Sequence, residues 1–251
     1  MAGHSHAANI AHKKAAMDKK RGKIFSKIAR KIIVAARIGG PDVETNLSLK
    51  YAFELARAAN MPKDVIQRNI EKGAGTGAGG DASWEEVTYE GYGPGGVAIL
   101  VDILTDNRNR TAGEVKKIFD RAGGNLGSPG CVSFLFETKA FFVVEPEGKS
   151  EDEIMEIAMA ADADDLQKEG DNWVITADQS KFTPLKKSLV DRGLKLSVSE
   201  ITKLPKTWVA IDDPAAAALM EKLVETLEDQ DDVQNVYANH EISDETRKKM
   251  S

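Results

Sequence analysis

Nine basic residues crowd the first 31 positions of this sequence: Lys13, Lys14, Lys19, Lys20, Arg21, Lys23, Lys27, Arg30 and Lys31. Only Asp18 opposes them there, and Arg37 extends the run. Cations of one sign at close spacing neutralise phosphates and release their condensed counterions, a driving force independent of base sequence. A merely solvated helix face usually alternates in sign, and this one does not. The ten residues are therefore the candidate nucleic-acid contacts. Phe25, Tyr51 and Phe53 are the only aromatics in the first 72 residues. A stacking platform for single strands is not visible, so the expected target is the backbone and shape of duplex DNA or folded RNA.

Other residues could do chemistry, and each has a plainer reading. His4, His6 and His12 lie close together, but with no Cys and only Asp18 nearby they make a poor metal set, and no metal or cofactor is expected. Cys131 beside Gly130 reads as a small hydrophobe, and with His240 far away in sequence no nucleophilic triad is visible. Gly91-Tyr-Gly93-Pro-Gly95-Gly96 matches the dinucleotide-binding spacing. That fingerprint needs a helix straight after it, whereas Val97-Ala-Ile-Leu-Val101 reads as a strand. No catalytic residue is assigned. Arg108 and Arg110 stand where a strand meets a helix N-terminus and could hold an anion or pair with nearby acids.

The cations need an element to array them, and the first segment reads as helical. On a wheel of about 100° per residue, Ile24, Phe25, Ile28, Ala29, Ile32, Ile33 and Ala36 share one half. Lys23, Lys27, Arg30, Lys31 and Arg37 gather on the other. Gly39, Gly40 and Pro41 stop this helix. Asn46 caps a second, to about Ala59, and a third runs from Pro62 to Gly73. Three short helices with apolar faces make a bundle. Gly73–Gly80, reading GAGTGAGG, is a linker.

Beyond it, strands mix with helices. Strands are expected at 86–90, 97–104 and 131–136, with a Thr111/Glu114 capping box opening a helix to about Ala122. A strand at 141–144, a helix capped by Ser150 and Glu153, strands at 164–168 and 173–177, a helix from Thr183 to Gly193 and a strand through Leu194, Leu196 and Val198 follow. That β-α-β-β-α-β order is ferredoxin-like. A strand at 208–211, a helix from Pro214 to about Glu228 and a strand at 233–238 then supply what the segment before Phe136 lacks. The expected fold is α+β and multidomain: a three-helix domain, then two ferredoxin-like α+β domains, one inserted in the other. Its boundaries fall at 1–73, a linker at 74–81, a discontinuous domain of 82–137 plus 206–243, and an insert of 138–205.

Charge follows the same division. Residues 1–72 hold 15 Lys and Arg against 6 Asp and Glu, whereas the rest hold 19 against 34. The net charge of −6 conceals a basic segment of +9 joined to an acidic one of −15. The apolar runs are shorter than the roughly 20 residues of a membrane span, and the polar start does not read as a signal peptide. With one cysteine in 251 residues, the expected compartment is the reducing cytoplasm, with no membrane partner.

Several blocks are specific enough to carry a resemblance: Met1-Ala-Gly-His-Ser5, Ala15-Ala16, Lys20-Arg-Gly-Lys-Ile-Phe25, Asn60-Met-Pro-Lys-Asp64, Tyr89-Glu-Gly-Tyr-Gly-Pro-Gly-Gly96, Leu104-Thr-Asp-Asn-Arg-Asn-Arg-Thr111 and Gly123-Gly-Asn-Leu-Gly127. In these, over essentially its whole length, the chain resembles the YebC family. The resemblance implies a helical domain followed by two α+β domains, one interrupting the other. It also implies a non-catalytic, DNA-binding transcriptional regulator. Because the family includes a mitochondrial translational activator and members linked to stalled ribosomes, it equally admits a ribosome-associated factor on structured RNA. Where the family usually has Lys-Trp this chain has His6-Ala7, and Ala11 replaces a Lys, so the tip lacks two charges and an aromatic. Both targets offer phosphates, and the acidic domains could face a protein partner. A third reading is a protein adaptor docking its basic face on an acidic partner.

Overall fold

In the computed structural model, residues 21–75 and 84–250 are described. Lys13, Lys14, Lys19, Lys20, His4, His6, His12 and most of the glycine linker lie outside them. Contacts divide the described chain into two units, one of residues 21–75, 84–131 and 218–236, the other of 132–217 and 237–250.

The first unit opens with helices α1 (Arg21–Gly39), α2 (Leu47–Ala58) and α3 (Lys63–Gly73). Their apolar faces meet in one core, with Ile28, Ile32 and Ala36 of α1 against Leu49, Ala52 and Ala56 of α2 and Ile66 and Ile70 of α3. Asn46 fastens two helix ends at once. Its Oδ1 accepts from Leu49 N–H at 3.0 Å, and its Nδ2 donates to the carbonyls of Ala35 at 2.7 Å and Gly40 at 2.8 Å. One buried side chain thus serves an orphan donor of α2 and the C-terminal carbonyls of α1. At Gly73 a Cβ would stand 2.4 Å from the Ile33 carbonyl, so only glycine lets α3 end against α1.

The same unit holds β1 (Glu85–Tyr92), β2 (Ala98–Thr105), α4 (Arg108–Arg121) and the short β3 (Asn125–Leu126). Strands β1 and β2 pair antiparallel from Glu85 opposite Thr105 to Tyr92 opposite Ala98. The turn between them is a short 3-10 segment with Gly95 and Gly96 at positive φ, and β2 follows the glycine motif with no intervening α-helix. Phe119 of α4 packs against Gly91, where a Cβ would stand 2.8 Å from its ring. After an excursion through residues 127–213, α7 (Pro214–Asp229) follows and β9 (Val233–Ala238) completes a sheet ordered β3-β1-β2-β9.

The excursion is the second unit. It contains β4 (Phe136–Glu145), α5 (Glu151–Ala160), β5 (Asp165–Glu169), β6 (Asn172–Asp178), α6 (Phe182–Asp191) and β7 (Lys195–Pro205). Its sheet is ordered β5-β6-β4-β7, the ferredoxin-like arrangement, with Phe142 stacked on Phe182 of α6 at 5.3 Å. Ser150 and Glu153 form the expected capping box. A parallel pair of β8 (Val209–Ala210) and β10 (His240–Glu241) and a terminal α8 (Asp244–Met250) complete it. The fold is thus α+β, with a three-helix segment followed by two such sheets, one inserted in the chain of the other.

Two local expectations are corrected. Helix α4 starts before Thr111, because Asn107 Oδ1 accepts from Arg110 N–H at 3.1 Å and caps it there. The Thr111 hydroxyl is turned instead onto Asp232. Residues 131–135 are not a strand: Cys131 N–H bonds to Ser128 O and Leu135 N–H to Val132 O, a run of tight turns. Pairing begins only at Phe136, opposite Pro205.

Candidate nucleic-acid interface

Helix α1 carries the described part of the basic run. Arg21 and Lys23 fall in its first turns, and Lys27, Arg30, Lys31 and Arg37 are half-buried along it. The side opposite the bundle core is not simply open to solvent. Val34, four residues beyond Arg30 and thus on its face, is only 5% exposed, and every residue from Ile32 to Ala36 is buried.

Lys27 and Arg30 meet an acidic corner 201 and 202 residues away in sequence. Lys27 Nζ donates to the Glu228 carbonyl at 2.8 Å, one residue before α7 ends. The last carbonyls of a helix lack intrahelical donors and carry the negative end of its dipole, so an ammonium there is favourable. The Arg30 guanidinium donates to the Asp231 carbonyl and, at 3.2 Å, to Asp232 Oδ1. It also lies 5.3 Å over the ring of Trp84, a cation–π contact.

Asp232 is the hub of this corner. Its side chain is 4% exposed and accepts from Thr111 Oγ1 at 2.6 Å, Arg110 Nη2 at 3.0 Å and Thr105 Oγ1 at 3.2 Å. Burial alone would raise the Asp232 carboxyl, but donation from Thr111 and Arg110, with the charges of Arg110 and Arg30, outweighs it. The group is held below the usual carboxylate range. Arg110, whose other partner is Asp106 at 2.9 Å, is correspondingly raised by hydrogen bonds to Asp232 and Asp106. Gln230 braces the turn: its Oε1 accepts from the Asp232 and Val233 amides, and its Nε2 donates to Glu114 of α4. Of the two readings open for Arg110, the geometry gives it to the acids. Arg108 beside it is exposed, its carbonyl accepting from Tyr89 Oη at 3.3 Å. Sequence reasoning missed Asp232, because nothing about an Asp before a strand signals which helices will close on it.

The outward side of α4 has a different character. Lys116 pairs with Asp120 at 2.8 Å, whereas Lys117 and Arg121 are exposed with no ion-pair partner among the described residues. Gly113 is exposed in the interior of the same helix, and a Cβ there would meet nothing within 4 Å. Helix-interior glycine costs about 1 kcal/mol relative to alanine, so no packing requirement explains it.

The Cys131 thiol is pushed up by burial and by the charge of Glu90, which keeps it protonated near neutrality. Among the described residues no three His, Cys, Asp or Glu side chains are placed to hold a metal, and no helix is long and apolar enough to cross a membrane.

Residues 5–76 match the family model described as the TACO1/YebC protein N-terminal domain, and residues 84–240 match the TACO1/YebC second and third domain. A protein of Dictyoglomus turgidum is 47% identical over 252 residues, covering all of both chains, and is named "Probable transcriptional regulatory protein". One from Dictyoglomus thermophilum, under the same name, is 48% identical over the full length of both. Among solved structures, a conserved hypothetical protein from Aquifex aeolicus superposes with a TM-score of 0.80 at 45% identity, covering 90% of this chain and 93% of that one.

Proposed function

Since the chain belongs to the TACO1/YebC family, we propose that it is a DNA-binding transcriptional regulator without catalytic activity, working in the cytoplasm. The relatives' names point to transcription, and one observation carries the binding mode. An amphipathic helix holds its apolar side in the bundle and carries cations but no acid along its length, within a chain that is otherwise acidic. The ten basic residues do not all serve alike. Lys27 and Arg30 also anchor α1 to the acidic corner, while Lys13, Lys14, Lys19, Lys20, Arg21, Lys23, Lys31 and Arg37 are assigned as phosphate contacts by their charge and their place in the basic run. The partition at 1–73, 74–81, 82–137 with 206–243, and 138–205 is the matching functional division, its acidic parts orienting the basic module or facing a protein partner.

The test is a salt titration of the full chain on duplex DNA, with ribosomal RNA fragments as the competing target. Log K should fall by about 0.9 per phosphate neutralised on the duplex. Replacing Lys19, Lys20 and Lys23 together by Gln should make that slope shallower by about three units, with similar losses on unrelated sequences. Tighter binding to the RNA fragments at every salt would overturn the DNA assignment. Absence of binding to either would leave the adaptor reading.

A further inference from the structure

Helix α4 is locally reversed in charge. Arg108–Arg121 carries five basic residues against Glu114 and Asp120, inside a stretch where acids outnumber bases. Two of the five are spoken for: Arg110 by Asp106 and Asp232, and Lys116 by Asp120. Lys117 and Arg121 stand four residues apart on one exposed stripe with Arg110 and Glu114, at the i, i+4, i+7, i+11 spacing that keeps one face. Glu114 within the stripe accepts from Gln230 Nε2 at 2.8 Å and Lys116 pairs with Asp120, whereas Lys117 and Arg121 have no ion-pair partner among the described residues.

Two further observations give the stripe a direction. Gly113, one turn before Lys117, leaves the backbone bare on the adjoining side, where a side chain would fit freely and strengthen the helix. Bare backbone flanked by cations admits close approach of a sugar–phosphate chain. The stripe is also not isolated, because Arg110 on α4 and Arg30 on α1 close on the same carboxylate, Asp232. That shared carboxylate sets α4 beside α1.

We propose that the face of α4 bearing Gly113, Lys117 and Arg121 is a second contact surface for the phosphate backbone of duplex DNA, next to the cations of α1. The proposal rests on reading the chain as a nucleic-acid-binding protein. Its surface takes phosphates by charge complementarity, with the glycine setting how closely they approach.

The test uses the full chain, a duplex of arbitrary sequence and a folded RNA of similar length. Lys117→Gln with Arg121→Gln alters only exposed side chains, so the melting temperature should hold. The salt slope on the duplex should become shallower by about two units. Gly113→Ala should melt higher than wild type and yet bind the duplex several-fold more weakly, a combination that a structural glycine cannot produce. If wild type binds the duplex and these variants match it in slope and affinity, the α4 surface is overturned while the functional reading stands. A loss confined to the RNA overturns it too. If wild type binds no nucleic acid even at low salt, the functional reading fails first and takes this surface with it.

Discussion

Helices α1 and α4 both carry excess positive charge, and they dispose of it in opposite ways. On α1 the central cations, Lys27 and Arg30, are turned inward to the Glu228–Asp232 corner. On α4 only Arg110 goes there, and Lys117 and Arg121 point outward. The difference follows from what each helix has on its second side. Helix α1 is covered on both sides along Ile32–Ala36, and Lys27 and Arg30, half-buried on the turns that lead into that stretch, find acceptors rather than face the cost of burial. Helix α4 packs one side, through Thr111, Val115 and Phe119, and leaves the other to water. A cluster of charges in sequence therefore marks residues that avoid the apolar core, and does not separate those that hold the fold from those that wait for a ligand.

Asp232 is where the comparison can be broken with the largest effect. Asp232→Ala takes from Arg30, Arg110, Thr105 and Thr111 the buried acceptor they share, and should cost about 2–4 kcal/mol of unfolding free energy, read by urea denaturation. The pH dependence has a definite sign. The folded carboxyl is held low, so its contribution is complete above the unfolded value of about 3.9 and is lost as pH falls through the folded value. Wild type should therefore lose its advantage over Asp232→Asn as the medium is acidified below about pH 4. A gap between the two that stays constant from pH 6 to pH 3 would show that the charge on Asp232 does not hold the corner together.

Much of the scaffold around this corner was legible in the residues. Asn46 and the Ser150–Glu153 pair announce helix starts because capping chemistry is local, complete within four residues. The ferredoxin-like order of the insert could be read because its strands and helices alternate with clear turn signals. Thr111 and Glu114 gave a false start for α4 by the same rule: the Thr hydroxyl had a distant acid to satisfy, and Asn107 capped instead. The candidate site was legible only in part. Composition located the basic helix, but Glu228, Asp231 and Asp232 lie some two hundred residues from Lys27 and Arg30, and only the return of α7 and β9 brings them together. The α4 surface was hidden for the converse reason, because Lys117 and Arg121 look ordinary until their neighbours' partners are known.

A smaller effect separates anchoring from binding on α1 itself. Lys27→Gln with Arg30→Gln removes the α7 capping contact, the cation–π contact with Trp84 and one partner of Asp232. The double variant should lose about 1–2 kcal/mol, seen as a lower melting temperature. Its salt slope on duplex DNA should change by less than the two units that loss of two phosphate contacts would give. A protein that melts as wild type does but binds with a slope two units shallower would return both residues to the contact set.

The smallest expected effect concerns Lys116, the cation on α4 that has a partner. Lys116 and Asp120 are both well exposed and sit at the i, i+4 spacing, 2.8 Å apart. Such pairs contribute about 0.3–0.5 kcal/mol, because water screens the attraction and holding two long side chains in register costs entropy. Lys116→Gln keeps helix propensity and should lower stability by no more than that, with the loss disappearing in high salt. Its effect on duplex affinity should be smaller than that of Lys117→Gln, since the Lys116 charge is already balanced by Asp120. The two single variants differ by one position on one helix and remove the same charge, so any difference between them in salt slope reports direction rather than net charge. Equal slopes for the two would mean that α4 attracts DNA only as a diffuse positive region, and that the assignment of Lys117 to a contact face is wrong.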